Sequence, residues 1–482
     1  MNFGAEELFP QVPSLRPAMN VGCLFDIPIG TYYTGKHGES ILNGGLQQVT
    51  GTCGRGNSYK STLSDHLNLT VVNRYEQVNE MAYDSEYSKT PARLNSLASR
   101  MHNIGGLDLF AENRCILSDG TTMANDYWEM VRNFADKKAK MGDKAKLATP
   151  FFVDGKQISI IAPSLLLLDS MSQMQFDATE TINDKAVVDS KDQNTIALRD
   201  NLIKSRMLGQ MPSVASKGSI YCTVVAHMGD DLALDPMAPP QKKLATMKQK
   251  IKFKKVPENF TFLTNNLYYC SGAKAHHNQA DKTPYFPKSE HDRNPGDQDL
   301  QIIQVQNLRA KSGPSGIPFQ IVVSQTEGLL PTLTELTYLR NNKKVSNTNY
   351  PMGFGVGGND RGYFLDIYPD VKLSRTTVRG IADEDYLLQR AMEITAEMCQ
   401  MQLIWKGDKL ADKYRITPEE LYTRLKEKGY DWSVLLNTRG YWVFEGSTDP
   451  LNFLSTMDLL KMALPADDVD VYHPYWMEPL KK

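Results

Sequence analysis

The chain has 482 residues, too many for one small domain, and its 41% apolar and 23% charged residues mark an ordinary globular composition. Lys and Arg number 54 against 56 Asp and Glu, a formal charge of -2, which excludes a globally basic nucleic-acid coat but not a local basic patch. Six scattered cysteines without C-x-x-C spacing argue against a zinc ribbon or disulfide framework. No apolar run nears the roughly 20 residues of a membrane span, so a cytoplasmic protein with no membrane partner is expected.

Residues 1–40 are rich in Pro and Gly, open without the cationic, apolar start of a signal peptide, and read as an N-terminal arm or cap. From 41 to 335, β-prone runs at 47–52, 81–83, 158–168, 220–226, 267–270, 300–305 and 319–323 alternate with helical stretches. That alternation predicts an α/β core with a mainly parallel central sheet. Beyond 336 the character changes. Helical periodicity over 383–404 places Leu387, Leu388, Ala391, Ile394 and Met398 on one face, and Thr417 with two glutamates opens a helix to 428. Trp432, Trp442 and Phe444 fall in a short β-prone stretch and read as the hydrophobic centre of a smaller, mixed, largely helical domain over 336–482.

The strongest motif is Gly54-Arg55-Gly56-Asn57-Ser58-Tyr59-Lys60-Ser61-Thr62, which follows a strand-like run and precedes a helix. In a P-loop, glycines let backbone N–H groups cradle phosphates, a lysine neutralises the outer phosphates, and the next hydroxyl holds Mg²⁺. Gly54, Lys60 and Ser61 fit those roles, whereas Tyr59 stands where the strict pattern has its second glycine. A flexible glycine-rich turn followed by Lys-Ser is the plainer alternative. Two further segments favour triphosphate chemistry. The apolar strand 164–168 delivers Asp169, a carboxylate suited to a water-mediated Mg²⁺ contact. The strand 81–83 ends in Asp84-Ser85-Glu86, about 25 residues after the lysine, where a carboxylate can polarise an attacking water. Each alone is equally a core strand ending at a polar turn.

Tyr83-Asp84-Ser85-Glu86-Tyr87, with Thr90-Pro91-Ala92 and Leu94, resembles the strand and turn carrying the catalytic glutamate of RecA-type recombinases, most closely the UvsX-type recombinases of large tailed phages. Those proteins are similar in having an aromatic residue before the P-loop lysine, as Tyr59 is here. Leu166-Leu167-Leu168-Asp169-Ser170 resembles their second acidic strand, and the resemblance covers roughly residues 25–335. It implies a RecA-like ATPase core binding ATP and Mg²⁺, polymerising on single-stranded DNA as a homo-oligomeric filament with ATP at the subunit interface, and promoting homologous pairing in an infected bacterial cell. It implies Glu86 as the water-orienting base, and Lys60 with the loop 54–62 around ATP. His227 becomes a sensor linking the γ-phosphate to a DNA loop. Arg309, and second Lys311, become cations reaching the neighbouring subunit's ATP. Arg93 takes the slot where the family packs an aromatic on adenine.

Between His227 and Leu267, Lys242, Lys243, Lys248, Lys250, Lys252, Lys254 and Lys255 form a basic stretch without a carboxylate among them. Backbone phosphates attract such a run, and the resemblance puts the family's second DNA loop there; a solvated loop is the bland alternative. The first DNA loop corresponds to residues 175–194, which hold several acids. His276, His277 and His291 with Asp281 and Asp292 are irregularly spaced and read as a polar surface loop rather than a metal site. Asp467-Asp468-Val469-Asp470 reads as a solvating acidic tail. Two other functions stay open: a DnaB-type hexameric helicase, and a degenerate, non-hydrolysing DNA-binding member of the family.

Overall fold

The computed structural model describes residues 15–119, 123–176, 192–230, 251–289, 291–405 and 409–478, with side chains from 198 onward in the helix that begins at 192. Ten strands form the central sheet: β1 (Val49–Gly54), β2 (Asn79–Asp84), β3 (Cys115–Asp119), β4 (Ser164–Asp169), β5 (Ile220–Asp230), β6 (Ile251–Phe253), β7 (Asn266–Ala275), β8 (Leu300–Ala310), β9 (Pro318–Ser324) and β10 (Gly328–Leu329). Their order is β10-β9-β8-β7-β1-β5-β4-β2-β3, with β6 paired to β5. The six strands from β7 to β3 run parallel, and β8, β9, β10 and β6 are antiparallel additions. The result is an α/β fold with a large, mostly parallel sheet.

Helices cover both faces, so the central strands must be apolar on both sides. Leu166 and Leu168 of β4, with Cys222, Val224 and Ala226 of β5, pack under Trp128 and Val131 of α3 (Ala124–Lys140) and Met207 and Met211 of α4 (Asp192–Gly218). Leu165 and Tyr221, one position out of step, face the opposite core with Leu63 and Leu67 of α1 (Lys60–Arg74). The step of one residue changes the face because successive strand side chains alternate. The short helix α2 (Pro91–Ala98) follows the β2 turn, with Thr90 accepting the Arg93 amide as its cap.

Several elements differ from expectation. The run 158–168 is two strands, Lys156–Ile161 in a hairpin with Lys146–Val153, and β4 in the main sheet. Pro163, which cannot donate to a ladder, stands between them. The long helix predicted over 383–404 breaks at Asp385, whose carboxylate caps α6 (Tyr386–Ile404) by accepting the Leu388 amide. Trp432 begins a helix, Trp432–Leu436, rather than a strand, and Trp442 and Phe444 lie in irregular chain. They are nonetheless 2% and 1% exposed, with Trp442 edge-on to Tyr75, Phe151 and Phe444, so packing rather than a ladder holds them. The helix opened by Thr417 is Pro418–Glu427 with a full capping box.

Packing is continuous across positions 40 and 336. Residues 1–14 lie outside the described part, but from Ala18 to Ile29 most side chains are buried. Trp405 Nε1 donates to Ile27 O at 3.1 Å, Trp442 Nε1 to Ala18 O at 3.2 Å, and the Ser40 amide to Asp458 Oδ1 at 2.7 Å. The helix α5 (Pro331–Asn341) crosses position 336 and packs on both β9 and α6. One apolar core therefore joins the α1 face of the sheet to the C-terminal helices. The acidic residues near 468 are tied down as well: Lys413 Nζ lies 2.8 Å from Asp468 and 2.6 Å from Asp470. Among the described residues no helix is long and apolar enough to cross a membrane.

Candidate nucleotide site and basic hairpin

Parallel registry brings four chain segments to one edge of the sheet. Gly54 at the end of β1 stands opposite His227 of β5, and Asp84 at the end of β2 opposite Asp169 at the end of β4. In open α/β sheets this carboxyl edge is where ligands sit. The loop after β1 turns sharply into α1, whose first residue is Lys60. Asn57 (φ 56°) and Tyr59 (φ 59°) are left-handed in that turn. For a non-glycine residue this costs about 1–2 kcal/mol, so Tyr59 takes the backbone shape that glycine supplies in the strict motif. Its ring packs against the main apolar core, and burial followed by nearby Asp299 pushes its hydroxyl above the usual tyrosine range.

A Cβ on Gly54 would meet Ser58 Oγ at 2.2 Å and Cys270 O at 2.7 Å, so only glycine lets the loop fold back this closely. Gly56, by contrast, faces open space. Ser58 Oγ is buried and has no hydrogen-bond partner among the described residues. A buried hydroxyl of this kind calls for a further partner, and a phosphate oxygen against the loop suits it. Lys60 is 6% exposed.

The Ser61 hydroxyl donates to Asp169 Oδ1 at 3.2 Å. Asp169 Oδ2 lies 3.0 Å from Lys89 Nζ. The Ser61 hydroxyl and the Asp169 carboxylate are hard oxygen donors, a set that fits Mg²⁺. Ser61 and Asp169 are the residues here that could hold such an ion. The Asp169–Ser170 peptide is cis.

The two acids after β2 have different surroundings. Asp84 accepts the amides of Glu86 (3.0 Å), Ser88 (2.7 Å) and Lys89 (2.6 Å), so it builds the turn. Glu86 is left to face outward from that turn: its Oε1 lies 2.5 Å from His227 Nε2 and accepts the Ser170 hydroxyl at 2.6 Å. The His227 hydrogen bond, opposed by partial burial and helped by Ser170 and Lys60, holds the Glu86 carboxyl down at about 2. Ser85 Oγ in turn donates to Ser170 O at 2.9 Å, fixing the β2 turn to the end of β4.

His227 also begins the basic hairpin. The Lys254 amide donates to His227 O at 2.9 Å, and β6 pairs Lys252 with Gly229 and Phe253 with Met228. Lys252 and Lys254 thus stand beside β5, next to the residue that holds Glu86, and Lys255 follows them. Lys242, Lys243, Lys248 and Lys250 lie outside the described residues, as does most of the stretch 175–194. Phe253 packs edge-on to Phe260, 5.5 Å between ring centres, which makes it an apolar anchor. Arg55 in the loop pairs with Asp230 at the end of β5, a second link between loop and hairpin.

Arg309 and Lys311 do not join this group within one chain. Arg309 on β8 is opposite Leu267, which is opposite Gly51, and Lys311 Nζ donates to Leu263 O at 3.3 Å. They lie toward the beginning of β1, whereas Lys60 lies beyond its end. Arg93 donates to Thr326 O at 2.6 Å and Gln325 O at 2.8 Å, so its guanidinium is committed to the sheet edge. His276 stacks on Tyr285 with ring centres 4.6 Å apart, and no metal-binding cluster of His, Cys, Asp and Glu occurs among the described residues. Sequence reasoning missed Lys89 and Asp65, which enclose the base of the site. A lysine in a Ser-Lys-Thr-Pro turn gives no signal that it will be buried.

No family model and no curated protein matches the chain. Among solved structures, the RadB recombinase is similar at 16% identity, covering 59% of this chain and 92% of its own, with a TM-score of 0.31.

Proposed function

We propose that this chain is an ATP-dependent DNA recombinase of the RecA type, which assembles on single-stranded DNA and promotes homologous pairing. One observation carries the reading: Lys60, Ser61, Asp169, Glu86 and His227, from four separate segments, meet at the carboxyl edge of a parallel sheet. The loop 54–59 would cradle the phosphates with its amides, and Lys60 would neutralise the β- and γ-oxygens. Mg²⁺, held by Ser61 and through water by Asp169, supplies further charge neutralisation when bound. Glu86 orients the attacking water, and His227 exchanges between Glu86 and the γ-phosphate. Because the Lys254 amide is bonded to the His227 carbonyl, DNA on the basic hairpin is coupled to that exchange. Arg309 and Lys311, remote from their own loop, reach the ATP of a neighbouring subunit, so the site is complete only in the assembled filament. Within this reading residues 41–335 act as the ATPase core, 1–40 as its N-terminal arm, and 336–482 as a C-terminal domain.

Phosphate release from ATP, with and without single-stranded DNA, tests the proposal. Turnover that rises on adding DNA, with helical filaments in electron micrographs of the ATP–DNA mixture, is the expected result. Absence of any turnover under both conditions refutes it, and closed six-membered rings favour the helicase reading.

A further inference from the structure

Lys89 has a setting that the nucleotide reading leaves unexplained. Its side chain is 5% exposed, and its ammonium lies 2.5 Å from Asp65 Oδ1 on α1 and 3.0 Å from Asp169 Oδ2 at the end of β4. Its own amide is bonded to Asp84 Oδ2, so the turn that presents Glu86 also fixes the backbone of Lys89. Three elements close on one cation. A buried ammonium is unfavourable unless paired. Asp65 and Asp169 are like charges, and the one ammonium that lies between them pairs with both.

Without the ammonium, Asp65 and Asp169 would face each other across a gap that one nitrogen now spans. A pair of hard carboxylate oxygens at that separation is a divalent-cation site in the making. With Lys89 in place the gap already holds a cation, and the other oxygen of Asp169 is turned to Ser61.

We propose that Lys89 is a positioning residue that occupies the cation space between Asp65 and Asp169, excludes divalent metal from that pair, and orients Asp169 toward Ser61 so that metal enters only with the triphosphate. The proposal rests on the nucleotide reading above, but its test needs no nucleotide. Mn²⁺ binding to the full chain is followed by electron paramagnetic resonance without ATP. Lys89→Met is expected to bind Mn²⁺ at least about tenfold more tightly than wild type, because a unit positive charge beside the carboxylates is gone. Lys89→Arg keeps the charge and is expected to match wild type. Because Lys89→Met leaves two buried carboxylates unpaired, the same comparison is made on the Asp65→Asn background. There, adding Lys89→Met again tightens Mn²⁺ binding relative to Asp65→Asn alone.

If Lys89 merely stabilised the fold, replacing it would lower the melting temperature and leave Mn²⁺ affinity unmoved. Folded Lys89→Met protein whose Mn²⁺ affinity does not rise, on either background, overturns the proposal. Failure of the nucleotide reading appears separately, as Lys60→Ala protein that binds a fluorescent ATP as wild type does.

Discussion

Glu86, the proposed base, is clamped by His227. Its carboxyl is held at about 2, with the His227 hydrogen bond as the largest cause. A base this weak is poorly matched to neutral pH, since catalytic efficiency peaks when the pKa lies near the operating pH. His227→Ala removes the clamp and leaves the weaker Ser170 contact. Full recovery from about 2 to the ordinary 4.5 would correspond to about 3 kcal/mol. The His227 and Glu86 side chains are 21% and 27% exposed, so solvent screening and the remaining Ser170 bond reduce this to about 1–2 kcal/mol. Only part of that basicity appears in the transition state, so DNA-independent turnover should rise roughly three- to tenfold. Stimulation by single-stranded DNA should be lost, because the bond from Lys254 to the His227 backbone no longer has a side chain to move. The assay is phosphate release at pH 7.5 with and without saturating poly-dT, alongside the affinity for a fluorescent ATP, which should stay within about twofold of wild type. Basal turnover that falls in step with stimulated turnover, or stimulation that survives, would refute the clamp.

Lys60→Ala should abolish ATP binding, read as loss of saturable fluorescence change with the fluorescent ATP, while circular dichroism stays that of the wild type. Glu86→Gln and Arg309→Ala should each lower DNA-stimulated turnover by about 10²-fold or more without weakening nucleotide binding. Mixing those two inactive proteins should restore part of the rate, since some interfaces then combine an intact Glu86 with an intact Arg309; no recovery would place Arg309 outside the neighbour's site. Glu80 on β2 is 2% exposed, and burial, eased by the Asn68 amide, raises its carboxyl to about 7. The native state therefore holds a proton that the unfolded chain releases near 4.5, so this group's contribution to stability is full below about pH 4.5 and declines as pH rises to about 7. Glu80→Gln should match wild type in denaturant melts at pH 4.5 and exceed it by up to about 3 kcal/mol at pH 8; an unchanged difference between the two pH values would refute the assignment.

Much of the candidate site's edge is legible in the sequence because its signals are local. A strand, a glycine-bearing turn and Lys-Ser follow each other without interruption at 49–61, and two apolar strands end in Asp84-Ser85-Glu86 and Asp169. Such runs specify their own secondary structure, and parallel pairing then aligns their ends. The apolar run 158–168 reads as one strand yet forms two, because run length says nothing of which sheet each half joins, although Pro163 marks the break. Trp442 and Phe444 looked β-prone by composition, yet their place is set by contact with Tyr75 and Phe151, far away in sequence.

The amino-acid order by itself determined an alternating α/β chain, a glycine-bearing turn between a strand and a helix, and two acid-tipped strands, since hydrophobic period and turn chemistry act over a few residues. Only the tertiary structure decided that Asp84 shapes a turn while Glu86 faces His227, that Lys89 is buried between Asp65 and Asp169, and that Arg309 lies away from its own loop. Those outcomes depend on sheet order and on which charges burial forces together, and both are properties of long-range packing that no short stretch of sequence encodes.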